Sequence, residues 1–144
     1  MALAHAIPGV ILAGGLSSRM GQDKSRIRIG GVGPIDRAAR RLRPQVSTVA
    51  VNANGPMLFE RGEELPVFAD LGAARAGPLG GGVAALDYAK RLHPQASHVA
   101  TVPTDSPFFP TDLVARLRRG IDTPERIAVA RSASGAPALS SCCA

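Results

Sequence analysis

Residues 10–24 read Val10-Ile11-Leu12-Ala13-Gly14-Gly15-Leu16-Ser17-Ser18-Arg19-Met20-Gly21-Gln22-Asp23-Lys24. The first four are apolar without polar alternation, which predicts a strand buried on both faces, as in a parallel sheet. Gly14 and Gly15 end that strand. Two residues without a Cβ let the backbone turn tightly and turn its N–H groups toward an anion, and Arg19 and Lys24 bring positive charge close by. The stretch therefore reads as a phosphate cradle. Lys24 lacks the glycine spacing of GxxxxGK[ST], and no GxGxxG is present, so it is neither of the two commonest nucleotide loops. A plain strand-to-helix turn with solvated basic residues would explain Gly14-Gly15, but not the spacing of Arg19, Gly21, Asp23 and Lys24.

Outward from this loop, strands and helices alternate. Ile35, Ala38, Ala39 and Leu42 recur at helical spacing after Pro34, and Pro44 stops them before a second strand, Thr48-Val49-Ala50-Val51. Pro66 to Ala69 reads as a third strand closed by Asp70. Leu79, Val83, Leu86 and Ala89 form a helix ending near His93-Pro94, and His98 to Val102 is the fourth strand. Thr111 is placed to cap a helix whose buried stripe is Leu113, Val114 and Leu117, with Gly120 after its basic last turn. Ile127 to Ala130 is the fifth strand. This alternation predicts a three-layer α/β sheet, in which ligands bind outside the carboxyl ends of the strands. Gly14 to Lys24, Asn52 to Asn54, Asp70 and Asp105 all lie just past a strand.

Composition narrows the class. A chain of 144 residues fits one domain, because domains near this size bury roughly 68–70% of the unfolded chain's surface. With aromatics at only 3% and no Trp, the core must be built from Ala, Val, Leu and Ile. The net charge of +6 favours a polyanionic partner. Phe and Tyr do not interleave the densest basic group, Arg37, Arg40, Arg41 and Arg43, which argues against a nucleic-acid surface. No apolar run approaches the ~20 residues of a membrane helix and no secretory leader opens the chain, so the expected location is cytoplasmic, with no membrane partner. Cys142 and Cys143 are adjacent and form no disulfide framework; His5, His93 and His98 have no companion at ligand spacing, and Ser17 and Ser18 have no base partner.

The loop LAGGxSxRMGxDK, from Leu12 to Lys24, resembles the signature of the molybdenum cofactor guanylyltransferases and their nucleotidyltransferase relatives. Three further blocks are similar to that family: Val51-Asn52-Ala53-Asn54; Gly77-Pro78-Leu79-Gly80-Gly81, with Gly80 where Ala is usual; and Pro103-Thr104-Asp105-Ser106-Pro107-Phe108, with Thr104 in place of Cys. The resemblance implies a three-layer αβα, Rossmann-like nucleotidyltransferase fold with a mainly parallel sheet. It implies nucleotide contacts from Leu12, Ala13, Gly14, Gly15, Lys24, Asn52, Asp70, Gly77, Pro78, Leu79 and Asp105, and charge neutralisation at the α-phosphate by Arg19 and Lys24. Asp105, a hard oxygen donor at a strand end, is the candidate Mg²⁺ ligand. Read on their own, Asn52 and Asp70 are ordinary turn residues, the Gly-Pro segment is an ordinary helix start, and Asp105 is an ordinary cap.

The activity implied is transfer of GMP from GTP to molybdopterin with release of pyrophosphate, and the partners are GTP, molybdopterin, and molybdenum-insertion or molybdoenzyme-maturation proteins, without nucleic acid. Two alternatives stand beside it: a cytidylyltransferase built on the same loop, and a catalytically silent nucleotide-binding domain. The second is raised because the resemblance runs from residue 9 to about 131. Family members continue with a His-Pro segment, further elements and a late Asn-Thr-Pro motif near the metal and the pterin, whereas Ser132 to Ala144 shows no apolar periodicity. The expectation is one domain over 1–144 with an altered or truncated end and an irregular tail over 132–144. A helix start shifted by Gly33-Pro34-Ile35-Asp36 is a smaller departure.

Overall fold

The computed structural model describes residues 7–13, 32–55, 59, 64–72, 78–106, 108–121, 127–131, 133 and 137–143. The apolar run of the opening motif forms β1 (Gly9–Leu12), in which Val10 and Ile11 are fully buried. It is flanked by β2 (Val49–Asn52) and β4 (Val99–Pro103), both parallel to it. A two-residue edge strand β3 (Val67–Phe68) adds to β2, also in parallel. Pro66, which has no N–H to give, precedes β3 and instead accepts from the Val51 amide at 2.8 Å.

The sheet has six strands in the order β3-β2-β1-β4-β6-β5, where β5 is Ala128–Arg131 and β6 is Pro137–Cys143. β6 runs antiparallel to both its neighbours, so the sheet is mainly parallel with one reversed strand. This corrects the expected irregular tail over 132–144. Ala100 pairs with Cys142 on one side of β6 and Ala128 pairs with Cys142 on the other. A strand hydrogen-bonded along both edges is held by its backbone, and such a strand needs no marked apolar pattern to form. Pro137 takes the first strand position, where its missing donor costs least.

Among the described residues three α-helices cover the sheet. α1 (Pro34–Leu42) begins with Pro at its first position and buries Ile35, Ala38, Ala39 and Leu42, the stripe read from the sequence. It continues into a 3₁₀ turn, Arg43–Gln45. α2 (Pro78–Leu92) follows β3, and α3 (Leu113–Arg119) follows β4. Thr111 does not cap α3; Asp112 holds the cap position without a side-chain cap bond, and its carboxylate accepts from Arg116 Nε at 2.9 Å instead.

α1 and α3 share one face of the sheet, packing on Ile11, Val49, Val51, Ala100 and Val102. α2 takes the other face, where Ala85 and Ala89 meet Val10 and Val99. Gln45 fastens α1 to the start of α3: its Nε2 donates to the carbonyls of Arg41 (3.0 Å) and Pro110 (3.2 Å), and its Oε1 accepts from the Val114 amide (3.0 Å). A buried amide satisfied at both ends is stabilising, whereas one left half-paired would cost about 1–3 kcal/mol. Among the described residues no helix is long and apolar enough to cross a membrane.

Candidate nucleotide site at the strand ends

Register alone assembles the rim. Leu12 of β1 lies beside Asn52 of β2 and Pro103 of β4, and Asn52 lies beside Phe68 of β3. The residues that follow each strand, Ala13, Ala53-Asn54, Asp70 and Thr104-Asp105, therefore share one edge of the sheet. This edge includes the boundary between β1 and β4, where the strand order reverses, the usual place for a ligand in an open α/β sheet.

α2 brings its N-terminal end to the same edge. A Cβ on Gly81, in the first turns of α2, would sit 2.8 Å from Asn52 Oδ1 and 3.3 Å from Leu12 Cδ2. Glycine is needed there because the helix backbone approaches a buried amide too closely for any side chain. The helix carries no acidic residue of its own in its first turn, so its partial positive end is turned toward the rim without a carboxylate from that turn to offset it. Leu79 in that turn is 79% exposed, and Pro78 is the first helical residue.

The polar side chains at the β2–β3 end bind one another. Asn52 is 1% exposed, and its Nδ2 donates to Asp70 Oδ1 at 2.9 Å and to the Phe68 carbonyl at 3.4 Å. Asn54 Nδ2 donates to Asp70 Oδ2 at 3.1 Å, and the Asp70 amide donates to Asn54 Oδ1 at 2.9 Å. Asp70 thus has an amide donor on each oxygen and keeps further acceptor capacity for a ligand donor such as a ribose hydroxyl or a base N–H. The sequence brought Asn52 and Asp70 forward separately and gave Asn54 no role. Their i, i+2 spacing carries the missing signal, since alternate residues leaving a strand point the same way.

Two other sequence candidates are constrained by the backbone. The Ala13 amide donates to the Asn52 carbonyl at 2.8 Å, so Ala13 has no N–H left for a phosphate. Leu12 is a ladder residue whose side chain packs against the α2 cluster. Asp105 is exposed, just past β4. Its two oxygens suit a hard divalent cation that takes the remainder of its shell from phosphates and water, the usual arrangement for Mg²⁺. Among the described residues no group of three or more His, Cys, Asp or Glu side chains forms a metal cage. Gly14, Gly15, Arg19, Lys24 and Gly77 lie outside the described residues.

His98 lies away from this rim, preceding β4 at the opposite end of the sheet. It is 4% exposed, its Nδ1 is 2.8 Å from Ser97 Oγ, and its buried Nε2 has no hydrogen-bond partner among the described residues. Burial, and secondly the positive charge of Arg118, lower its pKa from the usual 6.5.

The chain is 46% identical over 125 residues to the molybdenum cofactor guanylyltransferase of Sinorhizobium fredii, covering 87% of this chain and 57% of that protein. It is 47% identical over 126 residues to the enzyme of the same name from Rhizobium meliloti, covering 88% of this chain and 58% of that one. The chain thus spans rather less than two thirds of these curated relatives. A solved mycobacterial homologue of Rv0371c, from strain JC1, superposes with a TM-score of 0.72 at 21% identity, over 99% of this chain and 71% of that one, and shares the fold. Residues 9–143, from β1 through the reversed strand β6, match the MobA-like NTP transferase domain, and the chain belongs to that family.

Proposed function

We propose that the chain transfers GMP from GTP to the molybdenum cofactor, molybdopterin, releasing pyrophosphate. The observation that carries this reading is the 46–47% identity to guanylyltransferases across the stretch that supplies the strand-end rim. In the reaction a terminal phosphate oxygen of molybdopterin attacks the α-phosphorus of GTP in line. A P–O–P bond forms as the bond to the β-phosphate breaks, and pyrophosphate leaves with the electron pair.

No protein nucleophile is needed, so the chain contributes position and charge. The N–H groups of Gly14-Gly15 cradle the phosphates, and Arg19 and Lys24 neutralise charge gathering at the α-phosphate. The Gly77-Pro78-Leu79 backbone faces the guanine, and Asn52 and Asp70 hold the nucleoside against the β2–β3 end. Asp105 is the residue that would hold Mg²⁺, which when bound supplies charge stabilisation on the phosphates. The reading places the protein in the cytoplasm, its product passing to molybdenum-insertion or molybdoenzyme-maturation proteins.

Pyrophosphate release by the purified protein with GTP, MgCl₂ and molybdopterin tests the proposal, with CTP in parallel. Turnover with GTP and little with CTP is expected. GTP retention without pyrophosphate would make this chain a binding domain only, and indifference to millimolar GTP would refute the site itself. In an active protein Lys24→Ala should lower kcat by about 10²–10³ while changing GTP affinity much less; unchanged turnover would remove Lys24 from the mechanism.

A further inference from the structure

Past the end of β2 the backbone ladder gives way to a side chain. In the parallel register Asn52 lies beside Phe68, so two positions further on Asn54 stands level with Asp70. Among the described residues the last backbone link between the two segments is the Ala53 amide on the Phe68 carbonyl, at 3.0 Å. The next link is made by the Asn54 carboxamide. Its Oδ1 accepts from the Asp70 amide at 2.9 Å, and its Nδ2 donates to Asp70 Oδ2 at 3.1 Å. A backbone N–H can only donate and a carboxylate oxygen accepts, so the orientation of the carboxamide is forced.

Asn52 holds only Asp70 Oδ1, at 2.9 Å, and a carboxylate held by one oxygen can still swing about its Cβ–Cγ bond. A second donor on Oδ2 fixes the plane of the group. The local backbone adds little restraint, because β3 is two residues long and the chain turns at Gly72, whose φ of +77° is left-handed. Asn54 is exposed, so water can satisfy the same groups if it is removed, and the pair contributes direction more than stability. The residue type matters. Aspartate would set a second acceptor against Oδ2, and serine offers one atom for two partners.

We infer that Asn54 is a positioning residue for the nucleoside: it fixes the Asp70 carboxylate so that the remaining lone pairs meet a hydrogen-bond donor of the bound nucleotide. The inference rests on the nucleotide site proposed above and deepens it, because Asn54 acts through Asp70 and needs no contact with the ligand. An acceptor held in place beforehand raises affinity by sparing the ordering that binding would otherwise demand. The nucleoside keeps this contact in both the ground state and the transition state, so Asn54 governs KM rather than kcat.

Isothermal titration of GTP with MgCl₂ into the full chain tests this, in a double-mutant cycle over Asn54→Ala, Asp70→Ala and the pair. Asn54→Ala should bind GTP about two- to ten-fold more weakly, and Asp70→Ala about ten-fold or more. Because one residue acts through the other, the double variant should match Asp70→Ala within about two-fold, whereas independent losses would multiply. In turnover, Asn54→Ala should raise KM for GTP with kcat within about two-fold of wild type. Asn54→Asp keeps an acceptor for the Asp70 amide but sets a carboxylate against Oδ2. It should weaken GTP at least as much, and it carries the test if the alanine variant does not fold. Wild-type affinity in both Asn54 variants, losses that multiply, or a lowered thermal midpoint with unchanged GTP affinity would overturn the inference and leave the nucleotide site standing. A wild-type chain that ignores GTP would remove the site and this inference together.

Discussion

On the face of the sheet covered by α1 and α3, Ile11, Val49, Val51 and Val102 meet Ile35, Leu42, Leu113, Val114 and Leu117, and the interior is filled by large branched side chains. On the α2 face the same strands turn Val10, Val99 and Asn52 toward a helix that answers with Gly81, Ala84, Ala85 and Ala89. The first arrangement maximises buried apolar surface. The second sacrifices volume for closeness, letting the helix backbone come down on Asn52 and carrying the α2 N-terminus to the strand ends. Stability should therefore be concentrated on one face, and the geometry of the candidate site on the other.

Leu42→Ala is the severest test of that division. Leu42 is fully buried, and both it and Val46 would come within 2.9 Å of any Cβ at Gly9, so the site has little freedom to collapse. The loss should be about 2–5 kcal/mol in denaturant unfolding. A loss below about 1 kcal/mol would contradict the assignment of stability to this face.

Gly81→Ala sets two effects against each other on the opposite face. Helix propensity favours Ala by up to about 1 kcal/mol, while forcing a methyl against buried Asn52 costs about 1–3 kcal/mol. A net loss is expected, with NMR shifts in the Asn52 side-chain amide. A net gain in stability would mean that the close approach is not required.

His98 sharpens the comparison through pH. Strand alternation puts it on the α1/α3 side with Ala100, where Arg118 of α3 adds to the penalty of burial. Because its folded pKa is lowered, the unfolded chain takes up the proton first. The neutral ring's contribution is full above about 6.5 and falls as acid takes the pH from 6.5 toward the folded value. Unfolding midpoints at successive pH values should slope more steeply for wild type than for His98→Gln; parallel curves would show that His98 does not titrate in this window.

The smallest effect belongs to a surface pair on α2. Arg91 Nε lies 2.8 Å from Asp87, but the arginine is largely exposed. Arg91→Ala should cost only about 0.3–0.5 kcal/mol by thermal melting. A loss above about 1 kcal/mol would show that α2 depends on its outer charges more than on its small inner face.

Much of the architecture could be read locally. Val10 to Leu12, the Ile35–Leu42 stripe and the Leu113–Leu117 stripe are where their periodicities put them, because alternation and helical spacing depend only on neighbours in sequence. The ends were less legible: β3 shrank to Val67–Phe68, and α3 began after Asp112 rather than being capped by Thr111. β6 was missed because pairing on both edges, with partners such as Ala100 and Ala128, leaves no mark in the composition of Pro137–Cys143.

The sequence by itself determined the alternation of strands and helices, the family signature, and which residues follow a strand. Only the tertiary structure decided that Asn52 and Asn54 share Asp70, that Ala13 spends its amide on Asn52, and that Phe108 comes to lie beside Arg37, a residue far from it in the chain. These contacts join residues whose closeness is set by strand order and by the path of the chain between elements. Local propensity has no term for either, because both are fixed when distant apolar surfaces pack and buried backbone groups find their partners.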